Sequence, residues 1–212
     1  MKKAPVIIIE GTWWREHEVP QILPFFTALE TSLNEIELSH RTFRSLEDIR
    51  YYISKIAKGT GAFLYFACHG ENLNLSPVDG VKISHKDILE SLQFAKEGAV
   101  DFIHFGCCEM VPKDRRASFE QLMNACDAKW ISGYSKEVDW LPSTFLDLAL
   151  VSEVFVPQYN NSKNSKTDGR SRPLRKNGSE FVNNYNELAR KLGFSAISKV
   201  SKGNILFPSR LS

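Results

Sequence analysis

The sequence predicts an α/β domain: a central, mostly parallel sheet of about six strands, covered by helices on both faces. Three observations predict it. Short β-rich runs alternate with helical periodicity five times, the pattern of βα units that lay strands side by side and helices across them. Several of the runs are apolar at nearly every position, as strands covered on both faces are. The chain has 212 residues, enough for one well-buried core, so 1–212 reads as a single domain.

The elements follow in order. "PVIIIEG" (5–11) is a continuous apolar run ending at glycine, a buried strand. "VPQILPFFTALETSL" (19–33) reads as a helix starting near Pro24, since proline is tolerated in a first turn. "EIELSHRTF" (35–43) alternates and reads as a strand. "SLEDIRYYISKIAKG" (45–59) has Ser45 as N-cap and places Leu46, Ile49, Ile53 and Ile56 on one helical face, with Gly59 ending it. "GAFLYFACHG" (61–70) is the third strand, and "ENLNLSPVDGVKI" a small hairpin or lid turning at Pro77 to Gly80. A capped amphipathic helix (84–98), a fourth strand (99–110), a helix (115–128), a fifth strand (129–135) and a helix (143–156) come next. A last helix (about 180–192) and one or two strands ending in "NILFP" complete the chain. The stretch 157–180 breaks the pattern. It carries six basic and two acidic residues without apolar periodicity, and reads as a basic surface loop or a processing linker.

Composition excludes little but points consistently. The chain is 42% apolar and 25% charged, with net charge +2; that charge gives no reason to expect nucleic acid or a membrane surface as partner. No run approaches the roughly 18 apolar residues of a membrane span. The apolar run after Lys2 and Lys3 is interrupted at Glu10 and lacks a small-residue cleavage site, so it is not read as a signal peptide. Four cysteines, two of them adjacent, do not make a disulfide framework in a chain this size, which points to a reducing cytoplasm.

Two strand ends carry the chemistry. "AFLYFACHGENLNL" (62–75) runs through six apolar residues into Cys68, His69 and Gly70. About forty residues later "VDFIHFGCCEM" (100–110) repeats the design with Cys107 and Cys108. Ligands of open α/β sheets bind beyond the carboxyl ends of the strands. If the two strands are neighbours, an imidazole and a thiol meet there. His69 can take the thiol's proton, Cys108 can attack a carbonyl, and the amides of Gly70 and Cys108 can hold the oxyanion. That set of parts suits acyl transfer.

An apolar strand ending in His-Gly, followed by one ending in a small residue and Cys, resembles the signature of caspase-like cysteine peptidases. That group includes caspases, metacaspases, gingipains, separase and the bacterial CHAT proteases. "FACHGE" looks like the CHAT "HG" block, and "HFGCCEM" is similar to its "SACET" block, aligning Cys108 with the nucleophile and Glu109 with the acidic residue after it. Cys107 stands where the family has a small residue, which leaves either cysteine open as the nucleophile. The resemblance spans roughly residues 5–156. It implies a three-layer α/β/α fold, a His69–Cys108 dyad with no third member, and hydrolysis of protein or peptide substrates. No metal or organic cofactor is implied, though calcium activates some relatives. It implies also a separate activator or sensor protein, in keeping with the defence roles of bacterial CHAT proteases.

Further residues bear on specificity. "GYSKEVDW" (133–140) follows the fifth strand, where caspase-like peptidases line their first specificity pocket. Asp139 could accept a basic P1 side chain and Trp140 form a pocket wall; a plain solvated loop is the alternative for Asp139. In "EGTWW" (10–14), Trp13 or Trp14 could line the cleft or meet a partner, or both could cover a helix. Cys68 and Cys107 read as small buried hydrophobes. A zinc site from Cys68, His69, Cys107 and Cys108 is disfavoured because vicinal strand residues diverge. His104 reads as a core or helix-facing residue. Two rival functions stand beside the peptidase: a non-catalytic interaction module, and an α/β hydrolase with another nucleophile, weakened by the absence of G-x-S-x-G.

Overall fold

The computed structural model describes residues 2–12, 22–78, 80–111, 116–164, 171–200 and 203–207. The chain runs β1 (Ala4–Glu10), α1 (Leu23–Leu33), β2 (Ile36–Thr42), α2 (Leu46–Lys55), β3 (Ala62–Ala67), β4 (His69–Glu71) and β5 (Asn74–Ser76). It continues through α3 (His85–Leu92), β6 (Val100–Phe105), α4 (Arg116–Ala125), β7 (Trp130–Tyr134), α5 (Trp140–Leu150), a π turn (Val151–Phe155) and α6 (Val156–Asn164). α7 (Ser171–Asn184), α8 (Asn186–Leu192), β8 (Phe194–Val200) and β9 (Gly203–Phe207) close it.

Seven strands form the main sheet in the order β2-β1-β3-β6-β7-β8-β9. The first five are mutually parallel, and β8 and β9 add antiparallel at one edge. Strand alternation sends side chains to two separate cores. Val6, Ile8, Phe63, Tyr65, Phe102 and Trp130 face α1, α5, α6 and α7. Ile9, Leu64, Phe66, Ile103, Phe105 and Ile131 face α2, α3 and α4. The three-layer α/β/α arrangement and the mostly parallel sheet are as expected, with one strand more than the six anticipated.

Local chemistry explains the helix starts. Ser45 and Ser84 each accept from the N–H three residues on, while Asp48 and Asp87 reach back to the cap N–H, closing two capping boxes. The Arg44 N–H, and with it Ser45, holds the Asp48 carboxyl below its ordinary value; the Ser84 hydroxyl and N–H do the same for Asp87. Pro24 sits in the first turn of α1, and Asn34 ends that helix in the left-handed region.

Three expectations are corrected. His69 and Gly70 do not belong to β3, which stops at Ala67; they open the β4–β5 hairpin. That hairpin turns at Asn72 and Leu73, both with positive φ, rather than at Pro77 to Gly80. Most of 157–180 is not a loop. Helix runs from Trp140 to Lys163, widening to a π turn directly ahead of Pro157, which has no N–H to continue the ladder. α7 then buries Leu174, Phe181 and Val182 from an otherwise polar sequence. The polar residues occupy the outer face, and residues 165–170 lie outside the described residues.

Candidate active site

β3 and β6 are neighbours, paired in parallel from Leu64↔Ile103 to Phe66↔Phe105. Their pairing carries the chain ends beyond them into contact. Gly106 N–H donates to the Phe66 carbonyl at 2.9 Å, and Cys107 Sγ donates to the same oxygen at 3.3 Å. Cys68 and Cys107 are buried with their sulfurs 3.9 Å apart. A methyl group on Gly70 would overlap the Cys108 carbonyl oxygen and stand 2.8 Å from Cys107 Cβ. Leu73 N–H, in the hairpin turn, donates to the Glu109 carbonyl at 3.3 Å. The hairpin that opens with His69 therefore packs directly on the turn that holds Cys108.

The two vicinal cysteines separate cleanly by environment. Cys107 is fully buried, and burial pushes its thiol well up, with Cys68 adding to the rise. Cys108 is half-buried and accepts a hydrogen bond at its sulfur from Val138 N–H at 3.5 Å. Burial raises the Cys108 thiol, the Val138 N–H opposes that rise, and Cys107, Glu137 and Glu109 add to it. Of the pair, Cys108 is the one a substrate can reach. His69 is exposed at the hairpin's first position.

The loop after β7 completes the rim. Glu109 N–H donates to the Lys136 carbonyl and Val111 N–H to the Tyr134 carbonyl, tying the Cys108 turn to this loop. Asp139 is exposed and immediately precedes α5; its side chain makes no capping bond. Trp140 is half-buried and meets Phe25 of α1 edge-on at 5.2 Å, so it packs toward that helix. Trp13 lies outside the described residues. On the far side of His69, between the ends of β1 and β3, is a pocket of about 360 Å³ lined by Thr12, His69, Ser76, Val78, Gly80, Val81 and Lys82. The strand order reverses there, the place where open α/β sheets bind ligands. Among the described residues no group of three or more His, Cys, Asp or Glu could hold a metal.

Sequence reasoning missed a polar layer beneath this rim. Asp147 of α5 is 1% exposed and accepts from Tyr65 Oη at 2.7 Å, Tyr134 Oη at 2.5 Å and His104 Nε2 at 2.6 Å. His104 Nδ1 meets Ser132 Oγ at 2.7 Å, and Trp130 Nε1–H donates to the same hydroxyl at 2.9 Å. The bond set closes when the Ser132 proton goes to Nδ1 and Nε2–H goes to Asp147, an assignment made from partners. Ser132, His104 and Asp147 thus have the parts of a serine hydrolase triad, but all three are buried and Ser132 Oγ already accepts from Trp130. They offer no nucleophile to a substrate. The one visible signal was the aspartate inside the apolar helix "FLDLALV" and the histidine inside the strand "FIHF".

Fold and site together define a three-layer α/β/α domain with a histidine and a reachable cysteine on adjoining segments at the sheet's carboxyl edge. No family model matches the chain, and no curated protein matches it. Among solved structures it is similar to the X-ray structure of a secreted C11 cysteine protease from Bacteroides thetaiotaomicron, "iotapain". Identity is 10% and the TM-score 0.44, over 93% of this chain and 67% of that one. At that distance no residue role passes from one chain to the other.

Proposed function

We propose that this chain is a caspase-like cysteine peptidase, an endopeptidase that works through His69 and Cys108. The observation that carries the reading is the packing of Gly70 on the Cys107–Cys108 backbone, which sets the residue after the imidazole against the nucleophile's own turn. His69 takes the Cys108 proton, and the thiolate attacks the scissile carbonyl to form a thioester. The imidazolium returns the proton to the leaving amine, and water then releases the acyl group. The N–H groups of Gly70 and Cys108 hold the oxyanion. The chemistry needs no cofactor.

Asp139 favours a basic P1 residue. Exposed Glu137 and half-buried Glu109 lie close enough to raise the Cys108 thiol electrostatically, which supports an acidic rim. Trp140, and Trp13 beyond the described residues, stand as substrate-binding positions in the same reading. Four free cysteines suit a reducing cytoplasm. An activator or sensor protein, a bacterial defence or regulatory pathway, and self-cleavage within the basic segment 157–180, where Arg170, Arg172, Arg175 and Lys176 would suit an acidic pocket, complete the proposal.

One observation favours a second reading, a non-catalytic interaction module: burial and nearby carboxylates raise the Cys108 thiol instead of lowering it. A peptide-library cleavage profile of the wild type against Cys108→Ala separates the two. Cleavage after Lys or Arg that vanishes in the variant supports the peptidase; no cleavage by either chain, with or without added divalent cation, supports the module.

A further inference from the structure

The buried layer occupies one transverse row of the sheet. Tyr65, His104 and Ser132 are register partners on β3, β6 and β7, and Asp147 reaches them from α5. Each strand then runs on to the rim: His69 follows Tyr65 by four residues, Cys108 follows His104 by four, and Val138 follows Tyr134 by four. The three strands that lead into the His69, Cys108 and Val138 segments are therefore fastened to the same carboxylate. A buried carboxylate is costly to fold around, and an apolar layer would serve stability as well.

Tyr65 touches the nucleophile's turn directly. A methyl group on Gly106 would overlap the Tyr65 hydroxyl and stand 2.5 Å from its Cζ. Gly106 is the first residue after β6, two before Cys108, so the phenol forms the floor on which that turn rests. The ring cannot swing away, because its hydroxyl is held by Asp147 at 2.7 Å and it packs between Phe26 and the His104 ring. Burial and the Asp147 charge keep the phenol protonated, hence a permanent donor.

We propose that Tyr65, locked by Asp147, is a positioning residue for Cys108: it sets the height of the Gly106–Cys108 turn against the hairpin that bears His69. This rests on the reading of Cys108 as the nucleophile. Tyr134 provides the internal control. It donates to the same carboxylate from β7, while the three heavy atoms nearest a methyl group on Gly106 all belong to Tyr65.

The test compares Tyr65→Phe with Tyr134→Phe in the full chain. The pH profile of Cys108 alkylation by iodoacetamide is followed by mass mapping, and the amide signals of Gly106 and Cys108 by ¹⁵N NMR. Both variants lose one donor to Asp147 and should lose comparable stability. Only Tyr65→Phe should move the two amide signals and change the Cys108 rate, by about tenfold or more given the sensitivity of reacting geometry to small displacements. Gly106→Ala, which approaches the contact from its other side, should do the same, and stands in if Tyr65→Phe fails to fold. Equal effects in Tyr65→Phe and Tyr134→Phe, or unmoved signals in the first, overturn the proposal. A wild-type Cys108 that alkylates no faster than Cys126 overturns the nucleophile reading instead, while the amide signals still decide whether Tyr65 sets the turn.

Discussion

Gly70 rests on the backbone of Cys108 so closely that no side chain fits between them: a Cβ there would overlap the Cys108 carbonyl oxygen and lie 3.3 Å from its nitrogen. The contact joins two segments 38 residues apart in sequence. It also explains the glycine after His69 without appeal to its φ, since close approach is the requirement.

Gly70→Ala should therefore separate the hairpin from the Cys108 turn. Overpacking of this kind costs about 1–3 kcal/mol, and peptide hydrolysis should fall about a hundredfold. Thermal melting and a turnover assay check the two effects separately. A variant with wild-type turnover would mean that the contact does not set the site's geometry.

The Cys108 thiol offers a reading of His69 that needs no substrate. Burial raises this thiol, so without a base it should label slowly at neutral pH and faster as pH rises. With His69 as its base, labelling at pH 7 should instead outpace that of Cys126, whose thiol burial pushes up to about 11. His69→Ala should abolish the advantage, by about a hundredfold. Uniform slow labelling of both cysteines in the wild type would favour the interaction module.

Asp147 is the acceptor for three buried donors, so its removal should be felt across the sheet. In Asp147→Leu, Tyr65 Oη and His104 Nε2 are orphaned, at about 1–3 kcal/mol per group, while Tyr134 Oη keeps the Ser143 carbonyl at 3.1 Å. A loss of at least 3 kcal/mol in urea unfolding is expected, larger than for either Tyr→Phe variant. A loss below about 1 kcal/mol would mean that water or a shifted neighbour replaces the carboxylate.

What the sequence disclosed follows from which forces are local. Ser45 and Ser84 announced α2 and α3 because a capping box is closed within four residues. The runs at 62–67 and 100–105 announced neighbouring buried strands, and with them the meeting of the His69 and Cys108 segments. The helical nature of most of 157–180 was hidden because α6 and α7 are anchored by few apolar residues, Val156, Tyr159, Leu174 and Phe181, spread among asparagines, serines and lysines. Tertiary burial of those few overrides the weak local propensity. The Asp147 layer was hidden for a different reason. Its members come from four elements and acquire meaning only when register brings Tyr65, His104 and Ser132 into one row.

Alkaline pH should expose how many buried acids this core holds. Burial raises the thiol of Cys126 from 9.0 to about 11, and raises Cys107, Tyr65 and Tyr134 above their ordinary values. A group that binds its proton more tightly when folded gives stability that is complete below the unfolded value and is lost as pH climbs to the folded one. For Cys126 the loss should fall between about pH 9 and 11 and amount to about 2–3 kcal/mol. The phenols and Cys107 add to it, steepening the decline. Urea midpoints measured from pH 8 to pH 11 should fall continuously, and Cys126→Ala should fall less steeply across that range while being weaker at pH 8 from lost packing. A flat midpoint through pH 10.5 would show that these groups ionise as readily in the fold as in the unfolded chain.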